Sequence, residues 1–286
     1  MSGTVISDFA KADGADLYFE RRGDGPPLLM ITGGGGDCGY YSDTADILAD
    51  VYTVITYDRR GNSRSRLHGG PVKISLAEQS QDAVAVLAAN GFGSARIFGN
   101  SGGASIVLDL AAYHPQVIEA AVAHEPPVPK LLPEAGDYLA NFDEIDRALV
   151  TQGWLAAFTL FQVKIGLLPP GRSEALTALL EPGKVFSPGR RRDLMTRISR
   201  NWAYMMTYEV RSFIDYEPDL ARIADNRVRI VLGCGANTQD QMAIRMSVRT
   251  AELLGVACAE FSGGHMSPVE IPVTFARELR SLLDPA

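Results

Sequence analysis

Apolar positions along this chain of 286 residues follow two different periods. Short runs rich in β-branched and aromatic residues predict strands, and longer segments with apolar residues three and four positions apart predict helices. The predicted strands are 17–22, 28–32, 52–57, 95–98, 120–123, 228–232 and 257–261, and the predicted helices between and after them are 75–89, 104–113, 241–254 and 273–283. Strands and helices that alternate at this spacing predict an α/β fold, with a mostly parallel central sheet and helices on both faces.

The regular alternation stops between residues 127 and 226. Helical patterns at 138–150, 154–165, 173–180 and 190–211 fill this stretch, proline-glycine clusters interrupt them, and no convincing strand pattern occurs. We therefore predict a core domain of residues 1–126 and 227–286, with a helical cap of residues 127–226 inserted into it. Such an insertion typically covers an active site, so its apolar and aromatic side chains are expected to select the substrate. Among them, Trp202 is predicted to bind substrate.

Composition and charge exclude several classes of protein. A formal net charge of −7 disfavours nucleic acid and anionic membranes as partners, so a small molecule is the expected partner. No apolar run approaches the roughly 18 residues of a membrane span, and residues 1–9 lack the basic and apolar parts of a signal peptide. The three cysteines lack metal-binding spacing and are expected to be reduced thiols in the cytoplasm. The oligomeric state stays open, with a homodimer as one option.

The most specific motif is Gly99-Asn100-Ser101-Gly102-Gly103, which follows a predicted strand and opens a predicted helix. This G-x-S-x-G pattern is typical of a nucleophile elbow, a tight turn that lifts a serine hydroxyl clear of the sheet. The residues two before and two after the serine crowd together in such a turn, so only glycine fits there without a Cβ clash. We predict that Ser101 is a catalytic nucleophile.

A serine hydroxyl becomes an effective nucleophile when a neighbouring base accepts its proton, and histidine commonly serves as that base. Of the four histidines, His68 precedes the motif in a loop, His114 ends the predicted helix, and His124 ends a strand. His265 lies between the last predicted strand and the last predicted helix, where a side chain can reach over the sheet edge toward the serine. We predict that His265 is the base.

The acid that orients the histidine has two candidates. Glu125 follows the strand that ends at His124, whereas the strand that ends at Leu232 is followed by no carboxylate before Asp240. Both candidates satisfy the chain order serine, acid, histidine. Adjacent side chains of a strand face opposite sides, so His124 and Glu125 cannot both face the site. The strand-end position favours Glu125, and Asp240 remains the alternative.

A tetrahedral oxyanion needs two fixed N–H donors. Gly102 is expected to supply one, because its amide follows the serine at a helix N-terminus. The run of four glycines at 33–36 is expected to supply the other, with Gly34 as the first choice and Gly35 as the second. Gly35 is also predicted to contact substrate. The run lacks the features of phosphate-binding loops, and neither a metal nor a cofactor is expected.

The serine turn, the glycine loop, the late histidine and the inserted helices together resemble the α/β-hydrolase superfamily over nearly the whole chain. Residues 58–65 are similar to the loop after the fourth strand in that superfamily, but Ser63 stands where a glycine is usual. Glu125 follows the strand that corresponds to the sixth strand of that superfamily, and this position is similar to that of the acid in the zearalenone-lactone hydrolases. The segments 34–38 and 100–105 are similar to those enzymes too. The resemblance implies an α/β-hydrolase fold and a Ser-Glu-His triad that opens a lactone.

These residues predict a serine hydrolase that cleaves a carboxylic ester or lactone through an acyl-enzyme. Hydrolysis of a C–C bond, or cofactor-free perhydrolysis, could use the same three residues. A dehalogenase or an epoxide hydrolase is disfavoured, because those enzymes need a carboxylate where this chain has Ser101. From a different class, a ligand receptor with vestigial turnover is compatible with the same residues.

Overall fold

The computed structural model describes residues 4–166, 168, 188–239 and 241–284. Its strands are β1 Ile6–Ala12, β2 Ala15–Arg22, β3 Pro27–Ile31, β4 Thr53–Tyr57, β5 Arg66–Leu67, β6 Ala95–Asn100, β7 Ile118–His124, β8 Ile230–Gly235 and β9 Cys258–Phe261. They form one sheet in the order β1-β2-β4-β3-β6-β7-β8-β9, and β5 pairs with β2. From β4 to β9 all neighbours are parallel, whereas β2 runs antiparallel to its three partners. The predicted mostly parallel sheet is therefore confirmed.

Helices cover both faces of this sheet, as predicted. They are α1 Ser42–Leu48, α2 Leu76–Ala89, α3 Gly102–Tyr113, α4 Ala135–Gln152, α5 Trp154–Lys164, α6 Pro188–Tyr204, α7 Val210–Ile214, α8 Leu220–Asn226, α9 Gln241–Leu254, α10 Ser267–Glu270 and α11 Pro272–Leu283. Within the described ranges, every helix is too short or too polar to cross a membrane.

Alternate residues of the central strands enter two separate hydrophobic clusters. In β3, Leu29 and Ile31 pack in the cluster that contains α2, α3 and α9, whereas Leu28 and Met30 pack in the cluster that contains α1 and α11. Because successive side chains of a strand point to opposite faces, these helices cover the sheet on both sides. A strand that is buried on both faces has a continuous apolar sequence, which is why the pattern predicted it.

Strand β1 was not predicted. It forms a hairpin with β2 at the edge of the sheet, and Ala10 is its only buried residue. An edge strand that is mostly exposed needs few apolar residues, so its sequence carries little of the alternation that identifies half-buried strands.

Between β7 and β8, the described residues form helices and contain no strand. The pattern predicted one helix over 190–211, but α6 passes into a π-helical turn at Met205–Glu209 before α7 begins. A π turn adds one residue to a helical turn and is frequent at functional sites. It has no sequence period of its own, so the pattern could not show it. The predicted helix 173–180 and Asp240 lie outside the described residues.

The parallel register brings several loops to one edge of the sheet. Ile31 lies level with Gly99, and Asn100 lies level with His124, which lies level with Gly233. The chain leaves these strands at their carboxyl ends, where open α/β sheets bind their ligands. The glycine loop, Ser101, Glu125 and the segment after β8 therefore meet at this edge.

Candidate active site

Ser101 lies in a turn that its glycine neighbours make possible. It directly precedes α3, with φ 55° and ψ −127°. A Cβ on Gly99 would lie 2.2 Å from the Gly103 carbonyl oxygen, and a Cβ on Gly103 would lie 2.2 Å from the Ile31 carbonyl oxygen. Both positions therefore exclude any larger residue, as the motif predicted. A positive φ at a non-glycine residue is strained, and such strain clusters at functional sites.

Glu125 and His265 are joined by a hydrogen bond. The Glu125 Oε2 and His265 Nδ1 atoms are 2.5 Å apart, and the carboxylate is fully buried whereas the imidazole is about one-fifth exposed. The carboxylate acceptor keeps a proton on Nδ1, so Nε2 carries the lone pair of the neutral ring. Glu125 also has a strained backbone, with φ 53°. The structure thus brings together two of the three residues that the sequence assigned to the triad.

Two further donors hold the Glu125 carboxylate. Its Oε1 accepts a hydrogen bond from the Gly235 N–H at 2.8 Å and another from the Thr238 hydroxyl at 2.6 Å. Burial by itself would raise the pKa of this carboxyl, but the hydrogen bond and charge of His265 and the smaller contribution of Thr238 lower the pKa to about 2. Glu125 is therefore an anion at neutral pH, as an acid that orients an imidazole must be.

His124 lies in a different environment from Glu125, although the two are adjacent in sequence. Its ring is fully buried and lies 5.1 Å from the ring of Phe261, and burial lowers its pKa to about 4. The Asn100 amide donates to the His124 Nδ1 atom and to the His265 backbone oxygen, both at 3.0 Å. Asn100 therefore ties the loop that carries His265 to the end of β6.

Ser101 and His265 line the same cavity at this edge of the sheet. The cavity and the solvent space at its open mouth together measure about 570 Å³. Gly34 and Gly102 line it too, and within the described residues neither of their N–H groups donates to a protein acceptor. The rest of the wall is mostly apolar and includes Phe142, Phe161, Ile165, Met205, Phe213 and Met246. The nucleophile, base and both donors predicted from the sequence thus share one apolar cavity.

The structure does not bring the two predicted substrate-binding residues, Gly35 and Trp202, onto the wall of this cavity. Gly35 is buried, with φ 80°, and a Cβ placed on it would lie 3.3 Å from the Trp202 Nε1 atom. Trp202 is 4% exposed and stacks on Phe158, with their ring centroids 4.6 Å apart. The indole thus packs against the glycine loop. An aromatic residue on a helix has the same sequence pattern in a core as in a binding site.

The remaining histidines lie away from the cavity. The His68 Nε2 atom contacts the Asp16 Oδ1 atom at 2.9 Å on the surface, and its side chain is about half exposed. His114 ends α3. Neither histidine lines the cavity, whereas His265, the predicted base, does.

One cluster within the described chain has the donor atoms of a metal site, at Asp37, Cys38 and Asp58. Two guanidinium groups already neutralise it. Arg197 Nε lies 2.6 Å from an Asp37 oxygen, and Arg64 Nε lies 2.7 Å from an Asp58 oxygen. A divalent cation here would meet two fixed positive charges, so the donor set fits an ion-pair network rather than a metal.

Two residues that support the site were missed by sequence reasoning. Thr238, in the loop after β8, donates a hydrogen bond to Glu125. In that loop the sequence pattern was considered only for a carboxylate, so the threonine hydroxyl was missed. Asn100 occupies a variable position of the serine motif, and nothing in the motif signals that its amide holds the His265 loop.

Comparison with known proteins finds similarity to hydrolases. Residues 26–154 match the family described as the alpha/beta hydrolase fold. The uncharacterized hydrolase YraK of Bacillus subtilis strain 168 is 28% identical over 286 residues, which cover 98% of this chain and 97% of that protein. A zearalenone hydrolase of Cladophialophora bantiana is 31% identical over 147 residues, half of this chain and 54% of that protein.

Solved structures share the fold at lower sequence identity. The enol-lactonase of Burkholderia xenovorans LB400 superimposes with a TM-score of 0.69 at 16% identity, over 96% of this chain and 99% of that one. A structure from a study of carboxylesterases of the thaumarchaeon Nitrososphaera gargenis gives a TM-score of 0.71 at 18% identity, over 96% and 97%. These likenesses establish the α/β-hydrolase fold.

Proposed function

We propose that this chain, which belongs to the α/β-hydrolase superfamily, is a serine hydrolase that cleaves a carboxylic ester or lactone. The observation that carries the proposal is the hydrogen-bonded pair of His265 and Glu125 on the cavity that Ser101 also lines. The names of similar proteins, zearalenone hydrolase and enol-lactonase among them, support a lactone or ester as the bond cleaved.

In the proposed mechanism, the Ser101 oxygen attacks the substrate carbonyl carbon while the His265 Nε2 atom accepts the hydroxyl proton. His265 then donates this proton to the leaving alkoxide as the C–O bond breaks. A water molecule next gives a proton to His265 as its oxygen attacks the acyl carbonyl carbon. The bond between that carbon and the Ser101 oxygen then breaks, and His265 returns the proton to this oxygen, which releases the acid and restores Ser101. Glu125 stays ionised and stabilises the imidazolium. The N–H groups of Gly34 and Gly102 bind the oxyanion, and loss of one such donor costs about 2.7–4 kcal/mol in transition-state stabilisation.

The proposal includes an uncharged, largely apolar substrate. Among the residues that line the cavity, Glu125 and His265 are the ionisable groups of the proposed triad, and the Tyr138 hydroxyl is the other polar side chain besides Ser101. A charged substrate group would lose its water without gaining a partner, at a cost of several kcal/mol. Helices of residues 127–226, proposed as the cap, supply most of the apolar wall.

The proposal also places the protein in the cytoplasm, which its three free cysteines support.

The experiment that tests this function is turnover of a panel of neutral esters and lactones by the wild type, Ser101→Ala, Glu125→Gln and Asp240→Asn. We expect Ser101→Ala to lose roughly 10⁴-fold or more in kcat, and Glu125→Gln to lose roughly 10²- to 10⁴-fold with little change in KM. Asp240→Asn is the matched control and should stay within about twofold of wild type. The reverse order for the two acid variants would assign the acid to Asp240.

Steady turnover separates the enzyme from a ligand receptor on the same fold. A receptor would bind a ligand with one-to-one stoichiometry and release no product, and Ser101→Ala would then leave binding intact. Multiple turnovers that depend on Ser101 would contradict that alternative.

A further inference from the structure

The strongest feature that the proposed reaction does not use is a fully buried ion pair between Arg59 and Glu209. Both side chains are 0% exposed. Arg59 Nη1 lies 2.7 Å from Glu209 Oε1, and Arg59 Nη2 lies 3.0 Å from Glu209 Oε2, so the contact is bidentate. Arg59 follows β4, whereas Glu209 ends the π-helical turn, so the pair joins the core to the inserted helices.

The other donors of Arg59 hold the start of the glycine loop. Its Nε donates to the Thr32 carbonyl oxygen at 3.1 Å, and its Nη2 donates to the Gly33 carbonyl oxygen at 2.9 Å. Its Nη1 also donates to Gln79 Oε1 at 3.0 Å. All five N–H groups of the guanidinium therefore have an acceptor, which is the condition for burying this cation.

The contact with the Gly33 oxygen bears directly on the proposed oxyanion donor. The Gly33 carbonyl and the Gly34 N–H belong to one planar peptide unit and point in opposite directions. Holding the carbonyl toward Arg59 therefore fixes the opposite direction for the Gly34 N–H. A second donor, the Gly36 N–H, reaches the same carbonyl at 3.2 Å, but it belongs to the same run of four glycines.

Side chains of α7 and of the π-helical turn pack against the two glycines of the proposed oxyanion site. The Arg59 guanidinium lies 5.2 Å from the centre of the Phe213 ring, and a Cβ on Gly102 would lie 2.9 Å from that ring. Met205, which begins the π turn, places its sulfur 2.8 Å from where a Cβ on Gly34 would lie. The segment that supplies Glu209 thus also packs against the amide whose direction Arg59 sets.

We propose that Arg59, held by Glu209, is a positioning residue that keeps the Gly33–Gly34 peptide oriented for oxyanion binding and makes that orientation depend on the inserted helices. The inference rests on the proposed hydrolase function. The simpler account is that the pair only stabilises the fold, and the two accounts differ when both charges are replaced by apolar residues of similar size. Such a replacement often preserves stability, but it removes the Arg59 Nη2 donor from the Gly33 carbonyl oxygen.

The test compares the wild type with Arg59→Met/Glu209→Leu in thermal unfolding, in steady-state kinetics, and in the rate at which a fluorophosphonate labels Ser101. A positioning role predicts a cooperatively folded double variant whose kcat falls roughly 10- to 100-fold while KM stays within about threefold. The labelling rate should fall in parallel, because the phosphorus–oxygen group needs the same donors. Glu209→Gln, which keeps the shape of the pair, is the milder second variant and should give the same change in smaller degree.

The matched control is Arg60→Met/Asp82→Leu, which removes a neighbouring buried ion pair with contacts of 2.6 Å that does not touch the glycine loop. It should keep kcat within about twofold of wild type. Wild-type kcat and labelling in a folded Arg59→Met/Glu209→Leu variant would overturn the inference. If the wild type labels at Ser101 but turns over no ester, the proposed function fails while the labelling rates still decide the inference. If Ser101 does not label at all, both fail.

Discussion

Glu125, the proposed acid of the triad, has a strained backbone. Its φ of 53° lies in the left-handed region, which costs on the order of 1–3 kcal/mol for a residue with a side chain. Three hydrogen bonds, from His265, Gly235 and Thr238, hold its carboxylate and offset this cost. The same bonds keep this buried group ionised.

The low pKa of Glu125 predicts a loss of stability in acid. The folded-state pKa of about 2 lies below the ordinary glutamate pKa of 4.5, so the unfolded chain binds the proton first as the pH falls. The stabilisation is complete above about pH 5 and is lost as the pH falls toward 2. We expect the free energy of unfolding of the wild type to fall by about 2 kcal/mol more between pH 5 and pH 3 than that of Glu125→Gln, measured by urea denaturation.

Glu252→Gln controls for the removal of one carboxylate, since its side chain is 59% exposed and lies on α9 away from the cavity. Equal slopes for the wild type and Glu125→Gln across this pH range would show that the Glu125 carboxylate is not held as the structure describes. Burial of neutral His124 adds its own acid loss between about pH 6.5 and pH 4, and both variants retain it.

At the scale of elements, the turn between β6 and α3 depends on two close backbone approaches. Gly103 lies in the first turn of α3, and its missing Cβ leaves room for the Ile31 carbonyl oxygen of β3. This contact lets α3 begin against the sheet edge, where it presents the Ser101 hydroxyl and the Gly102 amide to the same cavity.

We expect opposite effects from glycine-to-alanine changes in two helices. In Gly103→Ala the new Cβ would meet the Ile31 oxygen at 2.2 Å, so the free energy of unfolding should fall by about 2 kcal/mol or more. In Gly136→Ala, on α4, no atom lies within 4 Å of the new Cβ, and alanine favours a helix. That variant should be neutral or more stable by up to about 1 kcal/mol, as measured by denaturant unfolding. Similar losses in both variants would contradict the close approach.

At the scale of the whole molecule, the cavity is lined by loops at the edge of the sheet and by the helices between β7 and β8. The core supplies Ser101, His265 and the two glycine amides, whereas helices between β7 and β8 supply apolar residues such as Phe142 and Phe161. We therefore expect changes in the apolar wall to alter which acyl or alcohol group is accepted and to leave the proposed catalytic groups in place.

The apolar wall predicts discrimination against charged substrates. We expect the wild type to hydrolyse p-nitrophenyl hexanoate with a kcat/KM at least roughly 100-fold above that for the mono-p-nitrophenyl ester of adipic acid, whose chain ends in a carboxylate. Met246→Lys places a cation on the wall and should shift this ratio toward the charged ester by roughly tenfold. Leu253→Lys, on the same helix but 43% exposed, should leave the ratio unchanged. An unchanged ratio in Met246→Lys would place the substrate elsewhere.

Local patterns in the sequence were sufficient for the central strands, the helices that cover them and the serine turn, but not for the edge strand β1 or the π-helical turn. The alternation of strands and helices, and the two glycines around Ser101, follow from short-range sterics and burial that each segment carries in itself. At Ser63 the sequence predicted an unusual residue but not its contacts. The sequence marked it as a serine where a glycine is usual, and the structure gives it φ 50°, with its hydroxyl hydrogen-bonded to Asp37 at 2.5 Å and its N–H to Asn201 at 2.8 Å.

What the sequence determined by itself was the order of the elements and the residue types that can carry acyl-transfer chemistry, because backbone sterics and side-chain chemistry are local. Tertiary structure decided which of these residues meet: that Glu125 bonds His265, that Thr238 and Asn100 support them, that Trp202 packs behind the glycine loop, and that Arg59 reaches Glu209 across 150 positions of chain. Such contacts depend on strand register and helix placement, which are set by packing over the whole molecule rather than by any one segment.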